Sequence, residues 1–271
     1  MNNDTRRILA ELMAAQDKGD SVVLATVVQA TGSVPRHAGS KMLVYADGRF
    51  SGTVGGGELE ARVLTEAKAA FDDGRPRMMT YSLVEPDRGD PGLCGGTVEL
   101  YLEPYMPPAT LFVIGCGHVG QAVADLGHWL GFRVVVADDR PKLASPDHIP
   151  NADVYLPGEG VGEFADALAA QPITGNTFIA LLTRNVTLDR QILPMLLKSP
   201  SPYIGVMGSR RRWAETKKLL REDGATDADL QRFHSPVGLE LNAETPKEIA
   251  ISILSEIIML HRGGTGERMM G

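Results

Sequence analysis

The sequence predicts an α/β protein, with an N-terminal α+β domain followed by a Rossmann-like, doubly wound parallel-sheet domain. Three observations lead to this. A proline-rich segment, Glu103–Thr110 (EPYMPPAT), breaks the periodicity and separates two regions with different glycine patterns, giving expected domains over 1–105 and 106–271. Beyond it, short apolar strands alternate with helical stretches, as a parallel sheet covered on both faces requires. At the start of that alternation stands Gly115-Cys116-Gly117-His118-Val119-Gly120, a G-x-G-x-x-G run between a strand and a helix.

In the first region, Ile8, Leu9, Leu12 and Met13 fall on one face of a helix expected near 4–18. A strand follows over Val22–Gln29, then a loop, TGSVPRHAGS. A hairpin, MLVYADGRFSGTV, turns at Asp47-Gly48, a pair that tolerates the positive φ of tight hairpin turns. After Gly55-Gly56-Gly57, the spacing of Leu59, Val63, Ala67 and Phe71 predicts a helix. Strands near 77–84 and 97–103 flank a loop containing Leu93-Cys94-Gly95-Gly96. In the second region the strands are Leu111–Ile114, Arg133–Ala137, Asp153–Leu156, Phe178–Leu182 and Tyr203–Met207, with helices expected between them. The last helix carries its own start signals: Thr245 to cap it, Pro246 in its first turn and Glu248 to complete a capping box. Its apolar surface suits either the sheet layer or a homodimer interface.

Composition narrows the function classes. The 271 residues carry 27 basic and 34 acidic side chains, a formal net charge of −7, which argues against a nucleic-acid backbone or an anionic membrane as the main partner. The longest apolar stretch, Ile249–Leu260, contains Ser252, Ser255 and Glu256 and is shorter than the roughly 18 residues of a membrane span. With no signal peptide visible, the expected location is cytoplasmic. Two cysteines, Cys94 and Cys116, do not make a structural zinc site by themselves. His118, His128, His148, His234 and His261 share no metal-ligand spacing, and surface or packing roles are expected of them.

The glycines mark candidate sites. In a Rossmann-like loop Gly115 permits the tight turn, Gly117 lets backbone approach a phosphate, Gly120 allows close helix–sheet contact, and the helix N-terminus offers N–H groups to an anion. Asp138, 23 residues beyond Gly115, stands where an acid accepts a hydrogen bond from a ribose hydroxyl. The alternative is a scaffold without a nucleotide. Thr183-Arg184-Asn185 and Gly208-Ser209-Arg210-Arg211-Arg212 follow two further strands. Ser209 is expected to cap a helix and Arg184 and Arg210 to face an anion, whereas Arg211 and Arg212 read as a solvated helix face. In the first region, Pro35 and flanking glycines hold Arg36, a composition suited to a planar or anionic group. Gly55, Gly56 and Gly57 allow close backbone approach. Glu60, one turn into the helix, fits a ligand ring or a pairing with Arg36, or simply complements the helix dipole. Cys94 is either a buried inert thiol or a reactive one.

The combination GSVPRHAGSKMLVYADGRFSGTVGGGELE, GLCGGTVELYLEP, FVIGCGHVG, IGVMGSRRR and SPVGLELNAETPKEIAISILSEII resembles the XdhC/CoxI family, accessory proteins of xanthine dehydrogenase and related molybdenum hydroxylases. The likeness spans nearly the whole chain. It implies a two-domain, non-catalytic carrier that binds the molybdenum cofactor, a molybdopterin with a phosphate, as cargo. Such a carrier protects the cofactor while a cysteine desulfurase exchanges oxygen for sulfur and then helps insert it into xanthine dehydrogenase or a related hydroxylase. Arg36, Glu60 and Cys94 match motif positions. Relatives often show histidine in the loop that reads Thr183-Arg184-Asn185, and some show cysteine at the position of Glu58, so those roles are not carried over.

These readings place the ligand between the domains. Its phosphate is expected near Gly115–Gly120 or at Arg184, Ser209 and Arg210, its pterin near Arg36, Gly56, Gly57, Glu60, Gly95 and Gly96, and its molybdenum near Cys94 as a soft ligand. Two rivals stand beside it. One is an NAD(P)-dependent oxidoreductase using Asp138, for which no His/Asp or Lys/Tyr constellation emerges. The other is a structural adaptor of the hydroxylase.

Overall fold

The computed structural model describes residues 3–82 and 95–269, which form two compact units, residues 1–107 and 108–271. In the first, helix α1 (Asn3–Lys18) leads into β1 (Val22–Gly32), the hairpin β2 (Lys41–Tyr45) and β3 (Phe50–Gly52), helix α2 (Gly57–Asp73), and strands β4 (Arg77–Ser82) and β5 (Gly96–Tyr105). The sheet is antiparallel in the order β3-β2-β1-β5-β4. Alternate side chains of a strand point to opposite faces, and here both faces are covered. Val23, Ala25 and Val27 join Leu59, Val63 and Ala67 of α2, while Val22 and Leu24 join Ile8, Leu12 and Ala15 of α1. Strand β1 runs three residues past its expected end, because Ala30, Thr31 and Gly32 pair with Val98, Thr97 and Gly96 after a bulge between Val27 and Gln29.

The second unit contains β6 (Thr110–Ile114), α3 (His118–Trp129), β7 (Arg133–Asp138), β8 (Val154–Pro157), α4 (Gly160–Ala170), β9 (Thr177–Leu181), α5 (Val186–Leu197), β10 (Tyr203–Val206), α6 (Arg210–Glu222), α7 (Asp227–Gln231), β11 (Phe233–His234) and α8 (Pro246–Arg262). All six strands are parallel, in the order β11-β10-β9-β6-β7-β8. This is the doubly wound order, with the topological switch between β6 and β9. Helices α3 and α8 cover one face, around Leu111, Val113, Val134, Val136, Ile253 and Ile257; helices α4, α5 and α6 cover the other, around Phe112, Ile114, Phe164, Ile192 and Trp213.

The start of α8 has the expected capping box, Thr245 with Glu248, and Pro246 in the first turn. Its buried apolar residues, Ala250, Ile253, Leu254 and Ile257, belong to the sheet layer. One expected helix is missing. Between β7 and β8 the chain makes successive turns, because Pro141, Pro146 and Pro150 stand too close together for any helix of useful length to keep its hydrogen bonds. No helix among the described residues is long and apolar enough to cross a membrane.

Candidate functional site

In the second unit, the glycine loop leaves the C-terminal end of β6, where such sheets bind ligands. Its three glycines answer to three different constraints. Gly115 has φ +106°, and a Cβ there would lie 2.7 Å from the carbonyl carbon of Leu182, so it permits β6 and the β9 exit to run side by side. A Cβ on Gly120 would lie 1.9 Å from the carbonyl oxygen of Gly115, so it lets α3 close onto the loop. Gly117 faces open space, with nothing within 4 Å of a built Cβ. It is the N-cap of α3, makes no side-chain cap and is followed by no acidic residue in the first turn. That leaves the start of α3 without a side-chain cap and with open space beside Gly117, a helix terminus whose dipole favours negative charge.

Asp138 is differently placed from the expected ribose acceptor. Its carboxylate is 1% exposed. One oxygen accepts from the Arg140 amide (2.9 Å) and Nε (2.8 Å), the other from the Cys116 amide (2.6 Å) and Arg140 Nη2 (3.0 Å). A carboxylate offers about four acceptor positions, and these bonds fill them. A ribose hydroxyl reaches Asp138 only by displacing Arg140. Burial works against the charge, but the Arg140 guanidinium and the two amides outweigh it and hold the group below the usual carboxylate range. Asp138 therefore braces the glycine loop. Cys116 is fully buried inside that loop, its thiol pushed up to about 12 by burial and then by the neighbouring Asp138 charge, so it is a packing residue. His148 Nε2 stands 2.9 Å from the Cys116 carbonyl and the His148 carbonyl accepts from Gln121 (2.9 Å), which ties the proline-rich turns to the same loop.

Across the switch point, the β9 exit is held by Arg212. Its guanidinium donates to the Thr183 carbonyl (2.8 Å), the Thr183 hydroxyl (3.1 Å) and the carboxylate of Asp189 (2.5 Å), and the Thr183 hydroxyl itself donates to Asp189. This corrects the expectation of a solvated Arg212. Its position three residues after Ser209 points it back under the loop, where Asp189, with no exposed surface, needs a cation. The side chains of Arg184, Arg210 and Arg211 are exposed and make no hydrogen bond or ion pair among the described residues. Ser209 caps α6 by accepting from the Arg212 amide (3.2 Å), and Asn185 caps α5 in the same way through Thr187 (2.9 Å). Sequence reasoning missed the Arg212–Asp189 pair and a second network, in which Glu256 accepts from Tyr203 (2.6 Å) and the Gly238 amide (2.7 Å) and faces His234 Nδ1 (3.1 Å). Only the presence of an acid within an apolar helix hinted at Glu256.

In the first unit, three glycine-bearing loops pack against one another. A Cβ on Gly96 would lie 2.6 Å from the carbonyl oxygens of Thr31 and Ser33, one on Gly32 2.5 Å from that of Gly95, and one on Gly55 3.0 Å from Pro35. The loop that carries Arg36 is thereby seated on the other two. Gly56 and Gly57 have φ of +81° and +59° and face open space, so they serve the backbone path into α2. Glu60 does not meet Arg36. Its carboxylate accepts from the Thr53 hydroxyl (2.5 Å) and the Gly56 amide (3.0 Å), holding the three-glycine turn. Beside these loops lies a cavity of about 530 Å³, walled by the first turns of α1, the 35–41 loop, and Gly52 and Thr53. Cys94 lies outside the described residues. Among those described, no three His, Cys, Asp or Glu side chains are grouped to hold a metal ion.

Comparison with known proteins places both units. Residues 111–257 match the profile described as the XdhC Rossmann domain, and residues 15–82 match that of the XdhC and CoxI family. The chain is 33% identical over 264 residues to the uncharacterized protein YqeB of Escherichia coli K12; the match takes in 97% of this chain and 48% of YqeB, so the chain spans about half the length of that relative. It is 24% identical to the molybdenum cofactor insertion chaperone PaoD of Escherichia coli K12, covering 97% of this chain and 91% of PaoD. A solved structure named as a xanthine dehydrogenase from Bacillus halodurans aligns over 98% of this chain and 97% of its own, at 25% identity and a TM-score of 0.50.

Proposed function

Because the chain belongs to the XdhC and CoxI family, we propose that it is a molybdenum-cofactor carrier that serves xanthine dehydrogenase or a related molybdenum hydroxylase. In this role it shields the cofactor while a cysteine desulfurase replaces a molybdenum oxygen with sulfur, and it then passes the cofactor to the apo-enzyme. The observation that carries the reading is the seating of the Arg36, Gly55–Gly57 and Gly95–Gly96 loops on one another beside a polar cavity, in the unit whose motifs matched the family. The name of PaoD points the same way.

The residues fit such a cargo. Backbone amides at Gly95 and Gly96 suit the hydrogen-bonding edge of a pterin, and the Arg36 guanidinium suits an anionic group of the ligand. Cys94 would offer molybdenum a soft sulfur. What favours carriage over nicotinamide chemistry is Asp138, whose acceptor positions are taken by Arg140 and Cys116.

The test is to purify the full chain without oxygen from a host that makes the cofactor, and to offer it to apo-hydroxylase. The expected result is pterin and molybdenum bound in equal amounts and activation that depends on both Arg36 and Cys94. Tight, stoichiometric NADH or NADPH binding with no pterin would favour the oxidoreductase.

A further inference from the structure

We propose that the cavity of the N-terminal unit is an oxyanion pocket that takes a phosphate monoester, with Arg36 as its principal cation. It deepens the carrier reading by naming the end of the cargo that this unit grips, and it rests on that reading only for the identity of the ester.

The pocket is built from charge and shape. Arg7, Arg36, His37 and Lys41 line it, against a single acid, Asp4. Arg7 is held in place, its Nη1 donating to Glu11 (2.8 Å) and to Ser51 (2.8 Å). Lys41 spends one of its three N–H donors on the Thr26 hydroxyl (2.9 Å). Burial lowers its pKa, partly offset by Glu103, so this ammonium is short of solvation and gains from an anion beside it. The side chains of Arg36 and His37 are exposed and make no hydrogen bond or ion pair among the described residues. With Arg7 already paired to Glu11, the Arg36 guanidinium and the Lys41 ammonium are the cations left to face an anion, and together they suit a phosphate group with its three acceptor oxygens.

The walls are set by backbone. A Cβ on Gly52 would lie 2.4 Å from the Lys41 carbonyl oxygen and 2.8 Å from Ile8 Cδ1, so glycine there lets α1 close one side. The opposite wall, residues 37–40, is tied to β1, the Gly39 amide donating to the Val27 carbonyl (2.8 Å) and the Val27 amide to that of Ser40 (2.9 Å). Thr53 is fixed by Glu60. At about 530 Å³ the space exceeds a bare phosphate and falls within the range of small-ligand sites, leaving room for the ring that bears the ester.

Inorganic phosphate is the probe, titrated into the full chain by calorimetry at low ionic strength. Saturable binding is expected, weakened about tenfold or more by Arg36→Gln, as loss of a charge-assisted hydrogen bond implies, and weakened less by the exposed control Arg75→Gln. Lys41→Met should weaken it further, with the circular dichroism of the fold unchanged. Unaltered affinity in Arg36→Gln, or a loss seen only in Arg184→Gln with Arg210→Gln, overturns the pocket, as does the absence of saturable binding. Pterin and molybdenum content of the same proteins separates the two claims. Phosphate binding that depends on Arg36 in a protein that never carries pterin would leave the pocket standing and remove the carrier. Pterin retained in Arg36→Gln with unchanged phosphate affinity would do the reverse.

Discussion

Replacing Gly120 with alanine sets a methyl group 1.9 Å from the Gly115 carbonyl oxygen, a contact only a backbone shift relieves. Overpacking of this kind costs about 1–3 kcal/mol, and a helical Gly→Ala change returns roughly 0.8–1 kcal/mol. Against the upper end of that range, the net loss is about 2 kcal/mol, or roughly 4–8 °C in Tm for a unit of this size. At Gly117 the built Cβ meets nothing and φ is −69°, so alanine costs only the difference between N-cap residues, about 1 kcal/mol or less. Both tryptophans, Trp129 and Trp213, lie in residues 108–271, so their fluorescence during urea or thermal unfolding reports on this unit alone. Gly120→Ala should therefore melt well below Gly117→Ala, which should stay close to wild type. Equal destabilisation by the two changes, or the reverse order, would refute the assignment of Gly120 to packing and Gly117 to an open helix terminus.

Further outcomes follow from buried groups. Cys116, its pKa up to about 12 against an ordinary 9.0, should alkylate at pH 8 about a thousandfold more slowly than a free thiol, read peptide by peptide in a mass spectrometer; rapid labelling in the native state would contradict its burial. Arg212→Met leaves the Asp189 carboxylate buried without its cation. With one partner 21% exposed the cost should sit near the low end for such pairs, about 3 kcal/mol by urea unfolding, and the double change with Asp189→Leu should recover part of it. Glu256 has its pKa lowered: burial opposes the charge, but His234, Tyr203 and the Gly238 amide together overcome it. The stabilisation is thus present above the pKa of the unfolded chain and is lost as pH falls through the lower folded value. Stability measured from pH 6 down to pH 3 should fall less steeply in Glu256→Gln than in wild type, and parallel curves would exclude this contribution.

Much of the fold was legible because its signals are local. The Thr245, Pro246 and Glu248 cap lies within four residues, and the alternation of Val22–Val27 states which side chains meet α1 and which meet α2. The glycine fingerprint is equally local, and its place at the β6 exit followed from the strand before it. Functional side chains were read less well wherever their partners are distant in sequence. Nothing near Arg212 announces that Asp189, 23 positions earlier, lies beneath it, and Asp138 reads as an open acceptor until Arg140 folds back onto it. Glu60 was misleading for the opposite reason. Its partners, Thr53 and Gly56, are so close that a turn-holding role was as available to it as a ligand. The turns over 139–153 show the weight of proline, since alternation alone called for a helix there.

The central claim is that this chain carries a phosphorylated molybdenum–pterin ligand. Elemental analysis for molybdenum and phosphorus, with pterin fluorescence, on this chain isolated anaerobically from a cofactor-producing host addresses it most directly. Pterin, molybdenum and phosphorus should co-elute with the protein in fixed proportion, with a marked loss in Arg36→Gln. Protein that emerges free of all three, while the same host loads its hydroxylases normally, would contradict it.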